Sequence, residues 1–117
     1  MSVKHIRELE LKPVQAGSGT SMQVLISAED GPNFAMRRFI MQPGGGMPRH
    51  TNLVEHEQFV LSGHARIGIG DEVYEVSTGN VVFIPAEVPH WYNNIGAEPF
   101  EFLCLVPNQL DEIKILE

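Results

Sequence analysis

Along most of this chain apolar residues recur at every second position and seldom at the three-and-four spacing of a helix, which predicts short strands with side chains pointing alternately to two faces. Residues 21–27 (SMQVLIS) read as a short apolar strand, ended by the turn AEDGPN over 28–33. Residues 34–42 (FAMRRFIMQ) form a second strand, closed by Pro43 and the run Gly44, Gly45 and Gly46. HARIGIG over 64–70 alternates cleanly, with Ala65, Ile67 and Ile69 on one face and His64 and Arg66 on the other, so His64 is expected in solvent. Asp71 and Glu72 then turn the chain into residues 73–77, completing a hairpin. GNVVFIPAEVPHWYNN, residues 79–94, reads as a buried strand, a proline-bounded turn and a second strand beginning near His90. Residues 98–106 place Phe100, Phe102, Cys104 and Val106 on one face before Pro107 stops them. Residues 13–20 read as a loop, and the tail NQLDEIKILE fits a short helix or an edge strand.

Many short strands punctuated by glycine and proline predict an all-β sandwich or barrel. At 117 residues the chain is expected to form one domain. Its apolar share of 43% and charged share of 20% exclude a disordered chain, and no apolar run reaches membrane-spanning length. A net charge of -7, with 15 acidic against 8 basic residues, disfavours nucleic acid as a partner. Arg37 and Arg38 do not reverse this, because neighbours on a strand face opposite sides. The opening MSVKHIRELELK lacks the apolar core of a signal peptide, and one cysteine, Cys104, allows no internal disulfide; a reducing, cytoplasmic setting is the expectation.

Candidate chemistry lies in residues 44–63, GGGMPRHTNLVEHEQFVLSG. His50, Asn52 and His56 occupy even positions, and in an extended strand they point the same way, while Glu57 falls on the opposite face. A distant strand adds His90. Three imidazoles meeting in one volume suit a metal ion.

Two spacings resemble the paired motifs of the cupin superfamily, small antiparallel jelly-roll β-barrels that commonly hold a metal in the barrel mouth. In the first, Gly44, His50, Asn52, His56 and Gly63 take the motif places, with Asn52 where a second histidine is usual and His56 where a glutamate is usual. In the second, Gly79, Pro85, His90 and Asn94 fit, and Glu87 stands where a glycine is usual. EHEQFVLSG, GPNFAMRRF and FEFLCLVP resemble a subgroup of small single-domain cupins with a four-histidine site, in which a histidine takes the place of His56.

The resemblance implies a barrel over 34–107 and a homodimer with residues 1–27 at the interface. It implies one transition metal ion per subunit, Mn, Fe, Ni, Cu or Zn, held by His50, His56 and His90. Asn52 then donates its oxygen, holds a water beside the ion, or touches nothing metallic. Arg37 and Phe39 are expected on the barrel side, with Tyr92, Phe102, Cys104 and Val106 lining a pocket for a small-molecule ligand; Trp91 packs outward. Dioxygenase-like oxidoreductase chemistry on a small organic molecule is the leading implication. A non-catalytic ligand-binding cupin with a weakened metal site and a metal-free sugar isomerase or epimerase are the alternatives. No residue is singled out as catalytic.

Overall fold

The computed structural model describes residues 1–116. Its strands are β1 (Lys12–Pro13), β2 (Ser18–Ile26), β3 (Phe34–Thr51), β4 (His56–Ser62), β5 (His64–Ile69), β6 (Glu72–Ser77), β7 (Val81–Ile84), β8 (His90–Asn93), β9 (Phe100–Pro107) and β10 (Lys114–Ile115). All pairings are antiparallel, and they join the strands in the order β6-β5-β8-β3-β9-β4-β7, with β2 and β10 also on β3 and β1 on β2. The two ends of this order, β6 and β7, are consecutive in the chain and linked by a tight turn in which the Asn80 side chain accepts from Ser77 N. The sheet therefore curls on itself into a jelly-roll β-barrel with its core inside.

Strand β3 is the hub. Its first half pairs with β2 and β9, its second half with β8 and β10. The expectation that Pro43 and the glycine run end this strand is corrected: it continues through them to Thr51. The reason is steric. Glycine allows a neighbouring backbone to come close, and a Cβ on Gly46 would lie 2.0 Å from the Tyr92 carbonyl oxygen. Two further pairings, Gly44 N to Asn94 O at 3.0 Å and Asn94 N to Gly45 O at 2.8 Å, carry the ladder past the proline. Residues 13–20 are likewise not all loop, since β1 takes Pro13 and β2 begins at Ser18. The tail resolves as the edge strand β10, which sets Ile115 opposite His50.

The alternation does its expected work in the core. Phe100, Phe102, Cys104 and Val106 of β9 are all buried, as are Ala65 and Ile67 of β5. Arg38 faces away from the barrel, where Glu101 and Gln23 satisfy it at 2.5 and 2.8 Å. The N-terminal segment folds back on its own chain, with Gln23 Nε2 donating to the carbonyls of Ile6 and Leu9. Among the described residues no helix is long and apolar enough to cross a membrane.

Candidate metal and ligand site

A cavity of about 390 Å³ opens at one end of the barrel. His50 and Asn52 come from the end of β3 and the turn after it, His56 from the first position of β4, and His90 from the first position of β8. All four line the cavity and are buried. The premise that one extended strand aligns His50, Asn52 and His56 needs correcting, because residues 52–55 form the bend between β3 and β4. The three side chains reach the same space across a strand junction. Register within β4 still holds: His56 and Gln58 point inward, while Glu57 is exposed on the outer face.

Each imidazole is fixed from behind. His50 Nδ1 lies 2.7 Å from the Pro48 carbonyl oxygen and His90 Nδ1 lies 2.9 Å from that of Val88. A carbonyl can only accept, so both Nδ1 atoms carry the proton and both Nε2 atoms keep a free lone pair. His56 Nδ1 sits 3.5 Å from the Cys104 sulfur. The Nε2 atoms of His56 and His90 and the Oδ1 of Asn52 are buried and have no partner within the protein.

Burial lowers the pKa of all three rings. His56, also beside the Arg37 guanidinium, is brought to about 3, His90 to about 4, and His50 below its ordinary value. Neutral imidazoles with orphaned lone pairs facing a common space are a donor set that fits a divalent transition metal. The His50 and His90 ring centres are 4.1 Å apart and those of His56 and His90 5.7 Å. The rings thus face one another without closing on a point, and among the described residues no three His, Cys, Asp or Glu side chains stand as a finished metal cluster.

Around the donors the wall is largely apolar. Phe39, Phe102 and Tyr92 stack in a ladder, with centroids 5.1 and 5.3 Å apart and planes 12° from parallel. The Tyr92 hydroxyl accepts from Gln58 Nε2 at 2.7 Å, and burial pushes its pKa upward, keeping the phenol neutral. Arg37 also lines the cavity. Its guanidinium lies 5.2 Å from the Phe39 ring centre, its Nη2 is 3.4 Å from the Cys104 sulfur, its Nε is without a partner, and among the described residues it has no carboxylate within salt-bridge distance.

Two pocket expectations shift. Cys104 stands behind the lining, against Arg37, His56 and Gln58, and burial raises its pKa, so the thiol remains protonated. Val106 is a core residue outside the cavity lining. Trp91 is half-buried and covers Gly68, and His64 is an exposed partner of Glu75 at 3.3 Å.

Sequence reading missed Gln58 and Asp111. Gln58 shares parity with His56 and was within reach of that argument. Asp111 arrives from the tail, across 59 residues from Asn52, and no local pattern signals it. Glu87, in the place of a usual glycine, adopts φ 64°, and its N–H donates to the Asn52 carbonyl at 2.8 Å.

Inward-facing imidazoles and an apolar aromatic ladder thus share one cavity inside a jelly-roll barrel. Residues 37–106 match the model of the cupin domain, and the chain belongs to that family. It is 26% identical over 113 residues to an uncharacterized protein of Methanocaldococcus jannaschii, covering 92% of this chain and 90% of that one. It is also 29% identical over 109 residues to the oxalate decarboxylase OxdC of Bacillus subtilis, spanning 83% of this chain but 27% of that enzyme. Among solved structures, the polyketide cyclase RemF of Streptomyces resistomycificus superposes with a TM-score of 0.91 at 26% identity, covering 100% of this chain and 86% of that one.

Proposed function

We propose that the chain is a mononuclear metal-dependent enzyme, of oxidoreductase type, acting on a small organic anion. One observation carries the reading: three buried imidazoles, each contacted from behind at Nδ1, line one largely apolar cavity, and the Nε2 atoms of His56 and His90 are buried without a partner. His50, His56 and His90 would hold the ion, leaving positions toward the cavity open. A transition metal there supplies Lewis acidity and, for iron, manganese or copper, electron transfer with dioxygen. Arg37, a cation with no carboxylate partner among the described residues, favours a substrate that brings its own negative charge, and the Phe39, Phe102 and Tyr92 ladder favours an apolar body attached to it. That two similar proteins are by name an oxalate decarboxylase and a polyketide cyclase also favours an enzyme of small molecules.

The test is metal analysis of protein purified without chelator, followed by oxygen-uptake screening over small carboxylates and enolic acids. About one transition metal per subunit and a substrate-dependent uptake are expected; protein free of transition metal overturns the reading. Asn52 supports a second one, a ligand-binding cupin with a weakened metal site. There Asn52→His should raise metal affinity sharply, whereas tight binding by the wild type removes its motive. Metal-free isomerase chemistry has less support, since imidazoles with pKa values near 3 and 4 are poor bases at neutral pH.

The homodimer is supported by Phe59, Val81 and Phe83, exposed together on the outer face of β4 and β7, where Phe59 pairs with Val81. A monomer in sedimentation at micromolar concentration rejects it.

A further inference from the structure

We propose that Asp111, in the segment between β9 and β10, is a positioning residue that turns the Asn52 carbonyl oxygen to the cavity as a fourth donor beside the imidazoles; this rests on the metal reading above. An amide has one accepting end and one donating end, and only the oxygen can ligate a cation. An asparagine in a histidine's place is therefore useful only in one of its two orientations. Here Asn52 Nδ2 donates to Asp111 Oδ2 at 3.3 Å, and a carboxylate can only accept, so the amide cannot be reversed without setting oxygen against oxygen. The Oδ1 that remains is buried without a partner, in a side chain only 8% exposed.

Asp111 is itself held in place. Its Oδ1 accepts from Leu53 N and Glu112 N, each at 2.8 Å. Beyond it β10 ties the segment down, pairing Lys114 with Thr51 and Ile115 with His50, and Leu116 N donates to Arg49 O at 2.9 Å. From the other side, Glu87 N holds the Asn52 backbone carbonyl at 2.8 Å. Main chain and amide of Asn52 are thus fixed independently, the first by the β7–β8 turn and the second by the tail. The tail is part of the pocket: Asp111 and Ile113 line the cavity beside the histidines.

Replacing the carboxylate by an amide separates orientation from packing. In Asp111→Asn the new side chain can keep its oxygen on Leu53 N, but its NH2 then meets Asn52 Nδ2, donor against donor. Rotation of the Asn52 amide relieves this and turns an NH2 toward the ion. The experiment titrates Co2+ alone into the full metal-free chain, in wild type, Asp111→Asn, Asn52→Ala and the double variant, with thermal unfolding of each metal-free protein alongside. Partners that orient ligands are typically worth ten- to a hundredfold in affinity. We expect about a tenfold loss in Asp111→Asn, and no further loss when Asp111→Asn is added to Asn52→Ala, where there is no amide to orient.

An equal loss in both backgrounds means that the Asp111 charge or the tail acts without Asn52, and it overturns the assignment while leaving the metal reading intact. No loss in the wild-type background does the same. A wild type that takes up no Co2+ overturns both. Should Asp111→Asn not fold, Zn2+ added to the isotope-labelled wild type gives the answer by NMR: the Asn52 side-chain carbonyl carbon shifts while its Nδ2 protons stay hydrogen-bonded, and an unmoved carbon overturns the assignment.

Discussion

His90 opens β8 and Asn94 follows its last residue, and the two are among the most buried polar side chains of the protein, at 1% and 2% exposure. Their hydrogen bonding is opposite. Asn94 is satisfied throughout, donating from Nδ2 to the carbonyls of Met41 and Glu98 and accepting from Gly96 N, at 2.8 to 2.9 Å. His90 is satisfied on one side only, with Nδ1 on Val88 O and Nε2 left open. Buried polar groups are almost always paired, so the paired one maintains the fold and the half-paired one marks a place prepared for something else. Both belong to one sequence motif, which therefore carries two separable duties.

Separation of those duties can be broken experimentally. The largest effect is expected for His90→Ala, which should weaken metal binding by at least about a hundredfold while the metal-free protein loses no more than about 1–2 kcal/mol of stability. Equilibrium metal titration and denaturant unfolding measure the two, and a stability loss without an affinity loss would make His90 a fold residue like Asn94. Next comes Asn94→Ala. It leaves the buried Met41 carbonyl, and the more exposed Glu98 carbonyl and Gly96 N–H, without their partner and should cost about 2 kcal/mol, with unchanged metal affinity in the folded fraction.

A pH titration sharpens the contrast. Unfolded histidines take up protons near pH 6.5, whereas folded His56 and His90 resist down to about 3 and 4. Between these limits the unfolded state binds more protons, so stability of the metal-free protein falls as the pH falls from about 6.5, less steeply once His90 protonates near 4, and levels off only below about 3. Replacing His56 by Gln should flatten that slope, and Asn94→Ala should leave its shape alone; thermal unfolding from pH 8 to 4 reads both. The smallest effect is expected at Glu87, whose left-handed backbone is strained by a Cβ that glycine would lack. Glu87→Gly should gain about 0.5–1 kcal/mol in denaturant unfolding while keeping the N–H that holds Asn52.

The barrel was legible because a two-residue period maps directly onto inside and outside, as the buried row from Phe100 to Val106 illustrates. Within β4 the same period separates inward His56 from outward Glu57, although the run of even positions from His50 is broken by the bend at 52–55. It failed where geometry depends on more than periodicity. Gly44, Gly45 and Gly46 look like a break, but Gly46 lets β8 approach β3 and Gly45 lets Ser18 of β2 do so, because a missing side chain serves close packing as well as turning. Asn52 reaches the cavity from a bend, Val106 keeps to its inner face but lies outside the cavity lining, and Asp111 depends on a pairing between the tail and β3 that no neighbouring residue announces.

Strand β3 also sets an order of events. It can find β2 before it in the chain but must wait for β8, β9 and β10, all made later, so beyond the sequential pairs β1–β2, β2–β3 and β5–β6 little of the barrel can form from neighbours alone. Such non-local wiring folds slowly. The pocket, needing β3, β4, β8 and the tail at once, assembles among the last steps. Affinity for an ion during refolding should consequently lag behind the growth of strand signal, and an ion present from the start would act as a clasp on the finished barrel and leave the speed of its making unchanged.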